Sequence, residues 1–297
     1  MKKLKFLREK TFKEEIHRAG WNWVNKCLVK RFHDKNGDVL VDEFIERTFD
    51  WDYTFNNDKP QILPHHKQDW IGFIHNPIII PKPFDIKQTP VNMCARLPFV
   101  IAMQNCKGMF TLSDDLEEQV RHIFIQYGFD NVVVETLLHP TPLDVEEFKL
   151  DEFLRDPQIT CIGYWLRNFE PYWQLKTKMP KNVLLGRLPY AHQIYKEQEK
   201  EFRRKQAYTN EKVKGNIIVH KHLENKEFDK FLTNTVVQYL GEDYPFYYNS
   251  METANKKIKD IELIKETYYY LKNMDKSKLD IKTFIKDFEQ SNIYQDL

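Results

Sequence analysis

Apolar residues recur along this chain in two patterns that predict alternating strands and helices. Short apolar runs, WIGFIH at 70–75 and NVVVETLL at 131–138, predict buried strands. Between these runs, the apolar residues of LEEQVRHIFIQY at 116–127 repeat at helical spacing and predict a helix with Asp114 as its cap. Strands that alternate with helices at this spacing favour a parallel sheet.

The second half of the chain repeats this alternation. Strands are predicted at 158–163, 182–186 and 215–220, and an amphipathic stripe near 280–290 predicts a final helix. By contrast, the segment MKKLKFLREKTFKEE at the start is too highly charged for a buried parallel strand. The first strand of the first lobe is therefore expected to be abbreviated.

The length of the chain, 297 residues, suits two domains, because domains cluster near ~100–150 residues. We predict an α/β protein of two Rossmann-like lobes in tandem, with a cleft between them. The seam is placed near 151–157. This gives an N-terminal domain of residues 1–152 and a C-terminal domain of residues 153–297, which includes the C-terminal helices.

Composition excludes several classes of protein. The balance of 45 basic and 44 acidic residues leaves a net charge of +1, which gives no overall field for a polyanion, so general nucleic-acid binding is not expected. No stretch approaches ~18 uncharged apolar residues, so no membrane span is expected. The four cysteines form no CxxC pair, which predicts reduced thiols and a cytoplasmic location.

Polar residues follow several predicted strands, at the position where open α/β sheets bind ligands. His75 and Asn76 follow one strand, Ser113 follows the next and His139 the one after. Pro77 disfavours helical geometry at Asn76, so the chain is expected to remain extended there. The alternative is structural, since an imidazole at a strand end is more often a hydrogen-bonded packing residue than a catalyst.

Two further positions suit an anionic ligand. Gly20 precedes a predicted helix, where backbone N–H groups and the helix N-terminus favour an anion, although Gly20 alternatively only permits a tight turn. Arg167 follows a strand and suits a diphosphate, or is alternatively a surface arginine stacked on a tryptophan. His65 and His66 lack a third ligand at useful spacing, so no metal site is predicted.

Six motifs in order carry a family resemblance: HRAGWNWV, WIGFIHNP, CKGMFTLSD, LLHPT, IGYWLRNF and YLGEDYPFYYNS. Together they resemble a group of viral and bacterial glycosyltransferases of the two-Rossmann (GT-B) type, over most of the chain from about His17. The resemblance implies a nucleotide-sugar donor held by the second lobe and a glycan or other hydroxyl acceptor held mainly by the first. It implies no metal and no cofactor beyond the nucleotide-sugar as co-substrate.

The resemblance also implies roles for individual residues. His75 would lie beside the reacting sugar as the catalytic residue. The donor would be bound by four residues: Gly20, Arg167, Lys176 and Glu242. The acceptor side or cleft would be lined by five residues: Trp21, Asn22, Asn76, Ser113 and His139.

One departure from the family pattern concerns the donor-binding lobe. The segment between NKEFDKFLTN and YLGEDYP lacks about one αβ unit, so this lobe is predicted to be shortened. Three hypotheses follow: a working glycosyltransferase, a degenerate relative that binds a nucleotide, glycan or protein partner without turnover, and a purely structural protein. The missing unit favours the second hypothesis, and His75, Gly20 and Arg167 favour the first.

Overall fold

The fold is given by a computed structural model of the whole chain. The structure describes residues 3–7, 21–51, 66–78, 80, 89–141, 143, 146–165, 167–175, 177–209, 217–223, 225–238 and 260–297. Within these ranges the chain forms two compact units. Unit 1 comprises Met1–Leu143 together with Asp275–Leu297, and unit 2 comprises Asp144–Met274.

All strands in the described ranges belong to two parallel sheets. They are β1 (Leu4–Phe6), β2 (Val39–Asp42), β3 (Trp70–Phe73), β4 (Cys106–Thr111), β5 (Val133–Thr136), β6 (Gln158–Ile162), β7 (Lys181–Leu184), β8 (Ile217–His220) and β9 (Thr235–Gln238). Sheet A of unit 1 has the order β1-β2-β3-β4-β5. Sheet B of unit 2 has the order β8-β7-β6-β9.

The α-helices of the described ranges connect or cover these strands. They are α1 (Trp21–Phe32), α2 (Pro90–Cys94), α3 (Leu97–Met103), α4 (Asp114–Gln126), α5 (Leu150–Arg155), α6 (Glu170–Gln174), α7 (Pro189–Thr209), α8 (Asn225–Leu232), α9 (Ile261–Asn273), α10 (Ile281–Gln290) and α11 (Asn292–Asp296). A short π-helix, Arg47–Trp51, follows β2, and a 3-10 turn, Lys276–Leu279, precedes α10.

The prediction of an α/β protein with two Rossmann-like lobes is confirmed, because each unit is built on a parallel sheet covered by helices. In unit 1, α1, α10 and α11 pack on one face of sheet A, and α2, α3 and α4 pack on the other. In unit 2, α6 and α7 pack against β6 and β7. The predicted shortening of the second lobe stays a prediction, since residues 239–259 lie outside the described ranges.

The division into units differs from the predicted domains of 1–152 and 153–297. The C-terminal helices return to unit 1, because Phe284, Phe288, Ile293 and Tyr294 are buried against sheet A and α1. The predicted seam would also cut through α5. That helix belongs to unit 2, where the backbone N–H of Lys149 donates to the Thr233 carbonyl.

Two local expectations concern β1 and α4. Strand β1 is short, as expected, with three residues, but it is a buried parallel strand despite its charged surroundings. Leu4 and Phe6 are buried while Lys5 between them is exposed, which suits an edge strand. Helix α4 has Ser113 as its N-cap rather than Asp114. The Ser113 hydroxyl accepts the Leu116 backbone N–H at 3.3 Å, and Asp114 is the first residue of the helix.

Within the described residues, no helix combines the length and the apolar character that are needed to cross a bilayer. All four cysteines are free thiols, and burial raises the pKa of the Cys94 and Cys161 thiols to about 12. These two buried thiols are therefore protonated at neutral pH, so they act as small apolar side chains.

Candidate functional site

The carboxyl ends of the parallel strands in sheet A lie at one edge of unit 1. The residues that follow these strands include Glu43 after β2, His75 after β3, Ser113 after β4 and His139 after β5. Ligands of open parallel sheets bind beyond this edge. We therefore take this edge, centred on His75, as the candidate site of unit 1.

His75 is held by hydrogen bonds from both its backbone and its ring. The backbone N–H donates to Oε1 of Glu46 at 2.7 Å, and Nε2 of the imidazole lies 2.9 Å from the carbonyl oxygen of Glu43. Because a carbonyl oxygen only accepts, Nε2 carries the proton. The lone pair of the neutral ring is therefore on Nδ1, which is left as a hydrogen-bond acceptor.

Burial lowers the pKa of His75 to about 3. His139 lowers the pKa further, while the Glu43 carbonyl and Asp42 raise it. Desolvation is the largest of these effects, because a charged imidazolium is poorly solvated in this setting. The His75 ring is consequently uncharged at neutral pH.

Glu46 lies beneath the His75 turn and is completely buried. Its Oε1 accepts the backbone N–H groups of both His75 and Asn76, each at 2.7 Å. Its Oε2 is also buried and has no hydrogen-bond partner among the described residues. Glu46 therefore fixes the path of the chain after β3 with one oxygen and leaves the other unsatisfied.

Burial raises the pKa of Glu46 to about 7, even though the two N–H groups act in the opposite direction. The nearby Asp42 carboxylate adds to the rise. A carboxyl group with a pKa near neutrality is partly protonated at physiological pH, and protonation removes the charge that burial leaves poorly solvated. Such displaced pKa values concentrate at functional sites.

Glu46 belongs to a run of buried acids with a spacing of four residues, Asp42, Glu46 and Asp50. Asp42 accepts a hydrogen bond from Nε2 of His66 at 2.9 Å. Asp50 forms an ion pair with Arg96, whose Nη1 is 2.6 Å from Oδ1. Sequence reasoning missed this run, although the four-residue spacing beside Ile45 and Phe49 is a signal that could have identified it.

Aromatic rings surround the imidazole of His75. The Trp21 ring lies 4.5 Å from the His75 ring and 6.3 Å from the His139 ring, measured between centroids. The Phe44 ring meets His75 edge-on at 4.4 Å. The Nε1–H of Trp21 is buried and has no acceptor among the described residues. Trp21 therefore lies between two imidazoles with a donor that is not used by these residues.

The structure brings together several of the residues predicted for the acceptor side. Trp21, His75 and His139 are in ring contact, and Asn76 is buried next to His75 with its N–H on Glu46. His139 donates from Nδ1 to the Pro140 carbonyl at 2.8 Å, and burial lowers the pKa of this imidazole. Its Nε2 is accordingly an acceptor in the neutral ring.

The other two residues predicted for the acceptor side are Asn22 and Ser113. Asn22 is the second residue of α1 and is half-buried. Ser113 is exposed and caps α4 with its hydroxyl, so it has a structural use. The acceptor roles of Asn22 and Ser113 stay predictions.

Arg167 of unit 2 lies in the loop after β6. Its Nε donates to the Ile162 carbonyl at 3.1 Å and its Nη1 to the Trp165 carbonyl at 3.2 Å. The guanidinium thus stabilises the turn that leaves β6. In sheet B the strand order reverses at β6, whose neighbours are β7 and β9, and ligands of open sheets bind at such switch points.

Two glycines with positive φ values follow strands at the carboxyl edge of sheet B. Gly163 after β6 and Gly186 after β7 have φ values of 80° and 83°, which other residues rarely adopt. A Cβ atom added at either position would meet no atom of another described residue within 4 Å. The space beside these strand ends is therefore not filled by described side chains.

The remaining predicted donor residues, Gly20, Lys176 and Glu242, lie outside the described residues. Within the described ranges, no group of three or more His, Cys, Asp or Glu side chains is arranged to hold a metal ion. His66, which sequence reasoning set aside as a metal ligand, is buried and bonded to Asp42.

Comparison with known proteins gives structural neighbours only. No protein-family model matches the chain, and no curated protein matches it. Among solved structures, the chain is similar to the crystal structure of an α,α-trehalose-phosphate synthase (UDP-forming) from Burkholderia vietnamiensis. The identity is 11%, the match covers 85% of this chain and 74% of that chain, and the TM-score is 0.42. Similarity at this level assigns no activity to this chain.

Proposed function

We propose that this protein is a glycosyltransferase that moves a sugar from a nucleotide-sugar donor to a hydroxyl acceptor. The observation that supports this most directly is His75, an uncharged imidazole whose Nδ1 is an acceptor at the carboxyl edge of a parallel sheet. The six sequence motifs support the same class. Following the family resemblance, the proposal assigns acceptor binding mainly to unit 1 and donor binding to unit 2.

The displaced pKa of His75 decides which role suits it. A general base works best with a pKa near the operating pH, and a pKa of about 3 makes His75 a weak base. An uncharged ring with a free lone pair accepts a hydrogen bond from a sugar hydroxyl without needing to gain a proton. We therefore assign His75 to binding and orienting a sugar hydroxyl at the reacting centre.

The departure of a nucleoside diphosphate requires positive charge on the donor side. Charge that develops on a leaving diphosphate is stabilised by cationic side chains and backbone N–H groups that are already oriented. Arg167 is the described candidate, because it follows β6 at the switch point of sheet B. Gly20, Lys176 and Glu242 are added to the donor site on the resemblance alone.

A second candidate function is nucleotide or glycan binding without turnover. The observation that favours it is the use of Arg167, since Nε and Nη1 both donate to local carbonyl groups. An arginine engaged in this way has fewer N–H groups to offer a diphosphate. In this alternative the fold retains a ligand site but does not stabilise a leaving group.

Nucleotide binding is tested by thermal unfolding with a series of nucleoside diphosphates. Saturating ligand at 100 times Kd is expected to stabilise the protein by ~2.7 kcal/mol. Arg167→Ala should reduce the shift, whereas Arg204→Ala should not, because Arg204 lies on the exposed face of α7 and pairs with Glu201. Absence of a shift with every nucleotide would contradict a donor site.

Turnover is tested by donor hydrolysis and sugar transfer with His75→Ala. Loss of one hydrogen bond at the reacting centre is expected to lower kcat/KM by roughly tenfold or more. His122→Ala is the matched control, since His122 is exposed on α4. A chain that binds a nucleoside diphosphate but neither hydrolyses nor transfers the sugar would support the binding function instead.

A further inference from the structure

A cavity in unit 1 lies away from the His75 site. It has a volume of about 430 Å³ and is lined in part by Lys5, His33, Lys35, His66 and Lys67. Lys35 precedes β2 and Lys67 precedes β3, so both lie towards the amino ends of these strands. His75, by contrast, follows the carboxyl end of β3.

The described charged side chains that line this cavity are all positive, apart from its two histidines. Three lysine ammonium groups line it, and no carboxylate does so among the described residues. Lys5, Lys35 and Lys67 come from three different segments, and all three side chains are exposed. Like charges that face one cavity repel each other, and a bound anion relieves that repulsion.

Two nearby carboxylates form ion pairs with other lysines. Asp34 pairs with Lys3 at 3.1 Å, and Asp69 pairs with Lys107 at 3.2 Å. Neither lysine of these pairs lines the cavity. Among the described residues, no ion pair to Lys5, Lys35 or Lys67 is formed.

Both imidazoles that line the cavity are engaged within the protein. Nδ1 of His33 accepts the backbone N–H of Phe6 at 3.2 Å, and the His33 ring also lowers the pKa of Asp34. His66 is buried and donates from Nε2 to Asp42. The donors that suit an anion are therefore the three ammonium groups.

We propose that this cavity binds a small phosphorylated molecule through Lys5, Lys35 and Lys67. Lysine is a strong phosphate ligand as a point charge with three N–H donors. Sites for small molecules have volumes of roughly 300–1,000 Å³, and this cavity falls in that range. A small ligand is favoured over a polyanion because the whole chain has a net charge of only +1.

The proposal is tested by calorimetric titration of the full-length protein at constant ionic strength. The probes are inorganic phosphate, pyrophosphate and glucose 6-phosphate, with glucose as the uncharged control. We expect saturable binding of phosphorylated probes and none of glucose. Lys35→Gln with Lys67→Gln should weaken binding by at least about tenfold, because each ammonium in contact contributes roughly a factor of five even in water.

Two matched variants make the result specific. Lys282→Gln with Lys286→Gln removes the same charge from the exposed face of α10 and should leave binding unchanged. Lys35→Arg with Lys67→Arg keeps the charge and should retain binding. Equal loss in the α10 variant, or no saturable binding to the wild-type protein, would overturn the proposal.

Other sources of phosphate are separated in the same experiment. Vesicles of phosphatidylcholine containing phosphatidic acid and a single-stranded oligonucleotide are tested beside the small probes. Binding to either of these, without binding to the small phosphates, would overturn the assignment of a small ligand. Arg167→Ala should leave phosphate binding at this cavity unchanged, which separates it from the donor site proposed for unit 2.

Discussion

At the scale of single residues, Glu46 gives the candidate site a pH dependence. Its pKa rises from 4.5 when unfolded to about 7 when folded, so the folded protein holds a proton that the unfolded chain has lost between these values. Stability therefore falls as the pH rises from about 4.5 to 7. The total loss is about 3 kcal/mol, since each pKa unit corresponds to ~1.4 kcal/mol.

Glu46→Gln is expected to remove this loss. The amide oxygen still accepts the N–H groups of His75 and Asn76, but the side chain does not ionise. Urea unfolding at pH 4.5, 6 and 8 should show a variant whose stability relative to wild type improves by about 3 kcal/mol over that range. Parallel pH profiles for the two proteins would show that Glu46 is not protonated in the fold.

His75 has the opposite pH dependence. Its pKa falls from 6.5 when unfolded to about 3 when folded, so the unfolded chain gains a proton in this window while the folded ring stays neutral. Stability is therefore lost as the pH falls from about 6.5 towards 3. His75→Gln should lower the acid-unfolding midpoint, and His122→Gln, an exposed control, should not. An unchanged midpoint in His75→Gln would contradict an imidazole that stays neutral in the folded protein.

The two residues also show how far sequence reasoning reaches at this scale. His75 was predicted as a site residue because it follows a strand run, and its position at the carboxyl edge of sheet A agrees with that reasoning. Glu46 was missed, because acidic residues are expected on the surface. The four-residue spacing of the acids indicates a buried run, but the partners of Glu46, the His75 and Asn76 backbone N–H groups, are long-range contacts that local patterns do not encode.

At the scale of elements, the docking of α11 on sheet A depends on a glycine. A Cβ atom at Gly108 in β4 would lie 2.6–2.9 Å from side-chain carbons of Ile293. Glu135 of β5 reinforces this docking, since its carboxylate accepts the backbone N–H groups of Asn292 and Ile293, each at 3.2 Å. The short helix α11 is therefore attached to the sheet by a close fit and by a carboxylate at its first turn.

A double-mutant cycle tests this fit. Gly108→Ala is expected to cost roughly 1–3 kcal/mol through overpacking, and Ile293→Ala about 2–5 kcal/mol through a cavity. In the double variant the smaller side chain at 293 leaves room for the methyl group at 108, so the total loss should be less than the sum. Additive losses in urea unfolding would show that the two side chains do not meet.

Elements with strong periodicity were predicted well, whereas the burial of the first edge strand was not. The helix at 116–127 and the stripe near 280–290 correspond to α4 and α10 because their apolar spacing is set by local sequence. Strand β1 was expected to be abbreviated, and its burial was not predicted because Lys3, Lys5 and the charges that follow mask an alternation of only three residues. Its parallel pairing with β2 provides the stabilisation that the local sequence does not show.

At the scale of the whole molecule, the chain leaves unit 1 after Leu143 and returns to it at Asp275. The two segments are adjacent where they meet, because the Thr141 backbone N–H donates to the Leu279 carbonyl at 2.9 Å. Unit 2 is thus an insertion within unit 1. The sequence predicted two lobes but placed the final helices with the second, since the stripe of α10 identifies a buried face without identifying what covers it.

The insertion predicts which fragments fold. Residues 1–152 retain the five strands of sheet A but lack α10 and α11, whose Phe284, Phe288, Ile293 and Tyr294 complete one face of the core. The single side chain of Phe288 contacts the rings of three other residues, Phe32, Phe73 and Phe110. Loss of a single buried Phe typically costs about 3–5 kcal/mol, which is comparable to the whole stability of many domains.

A fragment that joins residues 1–143 to 275–297 through a short glycine and serine linker is expected to unfold cooperatively in urea and to give dispersed amide NMR signals. Residues 1–152 should show a lower midpoint or no cooperative transition, because the apolar face of sheet A is then exposed to water. Residues 144–274 should fold separately around the core of sheet B. Equal stability of the 1–152 and joined fragments would contradict the assignment of α10 and α11 to unit 1, and would restore the boundary predicted from the sequence.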